Sequence, residues 1–438
     1  MSDSGSARTN LNVDKNPHTT TAEPISVIPL LAHALKKIRS TPPRIITSPP
    51  TQPRRAAVAL VIRVTPPRNF PQIPQNQVQP SLQEFFQLDW VNAPGAVAEI
   101  LFLKRENPGE DTAAIATNRV NKSSEAHVAF PGGRTEEGDE GGCYTAMRQT
   151  WEETGLDLAE RDFTCVGQLD DREITTSLGK RLLMILSPFV FLQLSPTSLA
   201  ADPVEGTTLH WLPISSLLTP KWSTVTVDCS SRLAPRQSLF LRYAIRALIG
   251  NMSFPALLLP DLTCPEQAKS KKDKSEARLE KALPPQSYKQ LKLWGLSLGM
   301  TLDLLSFMAI DGHSASGSIL KFPDHADADD VMGVKLFSGD VRAAVLRAPS
   351  LTSVFPRFSY PDVNFWIWVF GKRYREVVRG WEVSVKTRGA GDRRVNWTGA
   401  ALSTFYAAIR KALVVVIVVR AILVLTGAVF SAWWVFFR

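Results

Sequence analysis

The sequence predicts an α/β fold with a C-terminal transmembrane helix, and three observations predict it. Two continuous β-type runs, residues 56–64 (AAVALVIRV) and 96–104 (AVAEILFLK), read as buried strands. Residues 127–156 read as a strand, a glycine turn and a helix. Residues 412–437 are 26 residues with one charge, Arg420, and about 20 apolar residues suffice to cross a bilayer.

The chain has 438 residues and a net charge of +9, and its mean hydropathy is close to zero. Four cysteines, Cys143, Cys165, Cys229 and Cys264, form no CxxC pair. That excludes a disulfide-stapled scaffold and a thiolate zinc site. Residues 1–312 hold 33 Lys+Arg against 32 Asp+Glu, and residues 372–411 hold ten against three. The positive charge therefore gathers just before the apolar tail, which excludes a nucleic-acid groove as its reason.

From the N-terminus, residues 1–27 are Ser/Thr/Asn-rich and expected to be disordered. They contain no apolar signal core, and Asp3, Asp14 and Glu23 argue against a mitochondrial presequence. Residues 28–39 fit a short helix with Leu30, Leu31, Leu35 and Ile38 on one side. A proline- and glutamine-rich loop follows the first strand over residues 65–95, and a polar loop follows the second over 105–125. A polar insertion spans about 265–287, and its lysines (Lys269, Lys271, Lys272, Lys274) read as a solvated run. Residues 313–362 read as a linker, whose Asp327, Asp329 and Asp330 lack the spacing of a calcium loop.

Residues 363–411 are aromatic, then basic. Phe365–Phe370 is too short to span a membrane, and it fits either a helix in the headgroup region or a buried strand of a small domain. The 412–437 helix, flanked by Arg410 and Lys411 and carrying Trp433 and Trp434 at its far end, reads as a single-pass C-terminal anchor. The basic flank places the bulk of the chain on the cytosolic side. Arg420 would cost about 2.5–3.5 kcal/mol at mid-membrane.

The stretch His127–Leu156 carries the chemistry. Gly132 and Gly133 let a ligand approach the backbone. Gln149, Glu152 and Glu153 share one helix face by their i, i+3, i+4 spacing, and Gly155 suits the helix C-terminus. Clustered oxygen ligands beside a glycine turn suit Mg²⁺ or Mn²⁺ held jointly with a phosphate chain.

This stretch resembles the Nudix box of diphosphate hydrolases through Gly133, Asp139, Arg148, Glu152, Glu153 and Gly155. The one-residue-longer spacing from Gly133 to Arg148, with the Phe130-Pro131-Gly132-Gly133 entry, is similar to the coenzyme A diphosphatase branch. Residues 53–60, 102–105, 166–171, 187–190, 211–217 and 293–302 resemble further segments of that branch in order, so the likeness covers about residues 28–312. It implies an α/β/α sandwich around a mixed sheet. It also implies metal-dependent cleavage of a diphosphate linkage in coenzyme A, acyl-coenzyme A or a related nucleoside diphosphate derivative.

The implied metal ligands are the Gly133 backbone carbonyl, Gln149, Glu152 and Glu153, with Asp139 completing the acidic cluster. Arg148 would hold the turn through an internal carboxylate. Arg105, Gly132 and Gly133 would bind substrate, and Glu205 would act as general base. Gln149 stands where the family has glutamate; it offers a carbonyl oxygen without a charge. Ser124 and Ala126 stand where the branch has His and Gly in its coenzyme A motif. The other reading is a catalytically weak Nudix module binding nucleotide or a protein partner at a membrane.

Overall fold

The computed structural model describes residues 27–49, 54–71, 79–105, 125–175, 182–196, 200–218, 221–228, 246–260, 290–308, 355–376 and 400–437, with Tyr243 and Ser353. The expected disorder of residues 1–26, the insertion at 265–287, most of the 313–362 linker and the basic residues 379–399 lie outside them.

In chain order the elements are α1 (Val27–Ser40), β1 (Arg55–Thr65), α2 (Leu82–Phe85), α3 (Asp89–Asn92), β2 (Val97–Arg105), β3 (Glu125–Ala129), β4 (Gly132–Arg134), α4 (Gly142–Thr154), β5 (Phe163–Gln168), β6 (Arg172–Thr175), β7 (Leu182–Gln193), β8 (Thr207–Pro213), α5 (Ile214–Leu218), β9 (Lys221–Asp228), β10 (Asn251–Leu259), β11 (Gln290–Trp294), α6 (Gly295–Phe307), β12 (Arg357–Phe358), α7 (Pro361–Phe370) and α8 (Ala400–Phe437). The fold is mixed α/β with an open mixed sheet. Its path runs β12-β10-β11-β3-β2-β1-β7-β5, with β4 on β1, β6 on β7, β8 on β2 and β9 on β10. The pairs β1–β7 and β3–β11 are parallel, and the other pairs are antiparallel.

β1 is buried along almost its whole length, because it is covered on both faces. Val58, Leu60, Ile62 and Val64 join the cluster of α1 and α6 (Leu31, Leu35, Leu302). Ala57, Ala59 and Val61 face Ala146 of α4 with Phe189 and Phe191 of β7. The alternation follows from the two-residue period of a strand, and the alanines on the α4 side leave room for that helix to sit close. Between the first two strands, where only a loop was expected, Ser81 and Glu84 form a reciprocal capping box that starts α2. That pattern is legible in the sequence as Ser-x-x-Glu.

In the C-terminal region Phe365–Phe370 takes the helical one of its two expected forms, as part of α7. The apolar tail begins at Ala400, twelve residues before 412, as one continuous helix. Its first half is part of the protein interior. Phe405, Ile409, Leu413 and Val416 pack with Val363 and Ile367 of α7 and with Met252 and Phe254 of β10, and each large apolar side chain so buried contributes about 1.5–3 kcal/mol. Arg420 ends this docked half. Its Nη2 donates to both Asp362 oxygens at 2.6 and 2.8 Å, its Nη1 bonds the Leu248 carbonyl, and the guanidinium lies 4.4 Å from the centre of the Tyr360 ring. It is therefore satisfied by its own domain, which corrects its placement at mid-membrane. Every residue from Ala421 to Phe437 is exposed. By length and composition Ser403–Phe437 can cross a membrane.

Candidate active site

The site is built where β4 leaves the sheet edge and α4 crosses back over it. β4 pairs with the first residues of β1, Ala56 opposite Arg134 and Val58 opposite Gly132. The Gly132 backbone sits so close to β1 that an added Cβ would lie 2.4 Å from the Ala57 carbonyl oxygen, and its φ of +149° is one that side chains disfavour. A Cβ on Gly133 would meet the Gln149 Oε1 at 1.9 Å. The glycines thus bring the turn's backbone against α4 itself.

α4 presents two faces. Thr145, Ala146, Thr150 and Thr154 are buried, and the Thr150 and Thr154 hydroxyls donate back to carbonyls one turn earlier, both at 2.7 Å. Small side chains with internally satisfied hydroxyls let the helix press onto β1. Arg148, Gln149, Glu152 and Glu153 lie on the outer side. Gly155 closes the helix in the left-handed conformation, and its amide bonds the Trp151 carbonyl at 2.8 Å.

Arg148 is the organising residue. Its Nε and Nη2 donate to the two oxygens of Asp139 at 2.8 Å each, Nη1 donates to Glu152 at 2.9 Å, and Nη2 also reaches the Arg134 carbonyl at 3.2 Å. Asp139 accepts two more bonds, from the Glu136 amide and the Thr145 hydroxyl, both at 2.9 Å. Its side chain is 3% exposed. The Arg148 guanidinium, chiefly, holds the Asp139 carboxyl well below the usual carboxylate range, and the Glu136 and Thr145 donors add to this. Asp139 in turn raises Arg148 above its ordinary value. Four donors saturate the lone pairs of one carboxylate. Asp139 thus clamps the turn to α4.

Glu153 faces the turn. Its Oε2 accepts from the Gly132 amide at 3.3 Å, and Arg105 of β2 holds both its oxygens at 2.6 and 2.8 Å. Arg105, expected on substrate, is thereby found on a carboxylate of α4. Glu152 accepts from Gln149 Nε2 at 2.7 Å as well as from Arg148. Glu205 lies in an exposed turn of the loop that docks on the end of α4, where the Asp202 and Val204 amides bond the Thr154 and Glu153 carbonyls. The structure therefore gathers Arg105, Gly132, Gly133, Gln149, Glu152 and Glu153, and brings the Glu205 loop to the rim.

The donor set can be matched to Mg²⁺ or Mn²⁺ by chemistry. Glu152, Glu153, the Gln149 amide oxygen and the Gly133 carbonyl are all hard oxygen donors, as such ions require. Among the described residues no group of three or more His, Cys, Asp and Glu side chains could hold a metal ion. The fit thus relies on two carboxylates and neutral oxygens, with Arg105 leaving Glu153. Sequence reading missed that latch, because Arg105 and Glu153 are 48 residues apart and on different elements.

No family model matches the chain. An uncharacterized protein of Schizosaccharomyces pombe is similar to it, 32% identical over 184 residues that make up 42% of this chain. The matched stretch is 51% of that relative, so the chain spans about half its length. Among solved structures, a MutT/nudix family protein from Enterococcus faecalis is similar at 12% identity with a TM-score of 0.21, over 40% of this chain and 47% of that one.

Proposed function

We propose that the chain is a metal-dependent, Nudix-type diphosphate hydrolase tethered to a membrane. Its substrate would be coenzyme A, acyl-coenzyme A or a related nucleoside diphosphate derivative. The observation that carries this reading is the Gly132–Gly133 turn, held on β1 and set against the α4 face bearing Gln149, Glu152 and Glu153, with Arg148 tying Asp139 and the Arg134 carbonyl to that helix. The Nudix-type α/β/α sandwich is part of the same reading, supported by helices on both faces of β1.

In this mechanism Glu152, Glu153, Gln149 and the Gly133 carbonyl would hold the cation. When bound, Mg²⁺ or Mn²⁺ would polarise the diphosphate and lower the pKa of the attacking water. Arg105, 45% exposed at its side chain, moves from Glu153 to a phosphate oxygen, exchanging one charge-assisted contact for another. The Gly132 amide donates to the same anionic group. Arg148 keeps Glu152 oriented while the turn holds its shape. Glu205, carried by the loop on the end of α4, takes the proton from water.

The membrane reading rests on the exposed half of α8. The 17 residues 421–437 make about 26 Å of helix, close to the roughly 30 Å hydrocarbon core. Arg420 then sits at the interface. Phe365, Trp368 and Val369 of α7 are exposed beside it, and the basic residues from Lys372 to Lys411 favour the cytosolic side.

The test is hydrolysis of coenzyme A, acyl-coenzyme A, NADH, ADP-ribose and dinucleoside polyphosphates by the full chain in Mg²⁺ or Mn²⁺. Turnover of at least one, abolished in Glu153→Gln, supports the enzyme. Nucleotide binding without turnover, both in the wild type and in Gln149→Glu, supports the second reading, a binding module. The Arg105–Glu153 bridge and the neutral Gln149 favour that alternative.

A further inference from the structure

Cys143 and Cys165 are 22 residues apart, yet their sulfurs lie 3.7 Å from one another. Cys143 is in the first turn of α4, half-buried; Cys165 is on β5 and exposed. The register of β5 against β7 shifts between Cys165 and Gly167, and such bulges re-aim side chains. The other two cysteines, Cys229 and Cys264, lie outside the described residues.

We propose that Cys143 and Cys165 are a reversible oxidation site that takes a peroxide and closes to a disulfide between α4 and β5. The Cys143 thiolate attacks one peroxide oxygen. The O–O bond breaks, a sulfenic acid forms on Cys143, and the departing hydroxide takes up a proton as water. The Cys165 sulfur then attacks the Cys143 sulfur. The S–S bond forms, the S–O bond breaks, and a second water leaves with the Cys165 proton. Two thiols and one hydrogen peroxide become one disulfide and two waters; the sulfur pair loses the two electrons that the peroxide gains.

The surroundings assign the roles. The contact with the Cys165 sulfur lowers the Cys143 thiol, and its place in the first turn of α4 favours the same thiolate. The contact with Cys143 pushes Cys165 up, so Cys165 waits as a thiol. Oxidation of Cys143 removes the charge that holds it protonated. To bond, the sulfurs must come from 3.7 Å to about 2 Å. The bridge would fix the turn containing Thr145, whose hydroxyl bonds Asp139 at 2.9 Å.

The site stands apart from the hydrolase reading, because thiol chemistry reports it whether or not the chain turns over a nucleotide. Full-length protein in detergent is treated with hydrogen peroxide, alkylated, and digested with trypsin without reductant. Cleavage after Arg134, Arg148, Arg161 and Arg172 places the two cysteines on separate peptides. The expected product is residues 135–148 joined to 162–172, two hydrogens lighter and released by dithiothreitol. Its rate should rise from pH 6 to pH 8, following the thiolate fraction. In Cys165→Ser, a sulfenic-acid probe should label Cys143 and no bridge should form. Free, alkylatable Cys143 and Cys165 after peroxide, or a bridge from Cys143 to Cys229 or Cys264, would overturn the proposal.

Discussion

Replacing Asp139 by alanine should destabilise the domain by about 3 kcal/mol. Asp139 is 3% exposed and forks onto an Arg148 that is 15% exposed, and removing one partner of a buried ion pair costs about 3–5 kcal/mol. The lower end applies because Arg148 keeps Glu152 and the Arg134 carbonyl. At about 2–4 °C per kcal/mol for a domain of this size, the melting temperature should fall by about 6–12 °C. Thermal denaturation of the detergent-solubilised chain reads this directly. A double-mutant cycle with Arg148→Met should give a coupling of about 2 kcal/mol or more. The same pair sets an acid limit. The folded Asp139 carboxyl lies below its unfolded value near 3.9, so its stabilisation is present above that value and lost as pH falls beneath it. Melting temperatures should fall below about pH 4 in the wild type, and this component should be missing in Asp139→Asn. A melting temperature within about 2 °C of wild type for Asp139→Ala would refute the clamp.

Other outcomes follow from the same geometry. Gln149→Glu should tighten Mn²⁺ binding by about tenfold, since it adds a charge worth on the order of 1.4 kcal/mol, as isothermal titration would show. Arg105→Ala should release Glu153, tightening metal while raising the KM for the diphosphate substrate; an unchanged metal affinity would show that the bridge does not compete. Deletion of residues 421–438 should leave a folded protein in the soluble fraction. Deletion of 412–438 should destabilise it as well, because Ala412, Leu413 and Val416 belong to the second core; equal melting temperatures for the two truncations would deny that docking.

Much of the fold could be read from local pattern. The β1 run is continuous because both of its faces are covered, and the spacing of Gln149, Glu152 and Glu153 put them on one face before any contact was visible. What escaped the sequence was every pairing between distant elements. Arg420 looked like a charge stranded in an apolar run, since nothing near it in sequence marks Asp362 as its partner. The docked half of α8 was unreadable for a related reason. A helix buried in protein and a helix buried in lipid have the same composition, and only the contacts of Phe405, Ile409 and Val416 separate them. Asp139 carried the motif's acid, but its saturation by four donors depends on where Arg148, Thr145 and the Glu136 amide meet. The four cysteines looked scattered until α4 and β5 brought two of them together.

The central claim is that the α4 carboxylates and the Gly132–Gly133 turn hold a divalent cation, and Mn²⁺ titration of the full chain followed by electron paramagnetic resonance tests it without any choice of substrate. The protein should deplete the free Mn²⁺ signal at one site per chain, and Glu152→Gln and Glu153→Gln should each weaken this by about tenfold or more, with folding intact by thermal denaturation. Equal Mn²⁺ binding by the wild type and both variants, or none by the wild type at millimolar Mn²⁺, would contradict it.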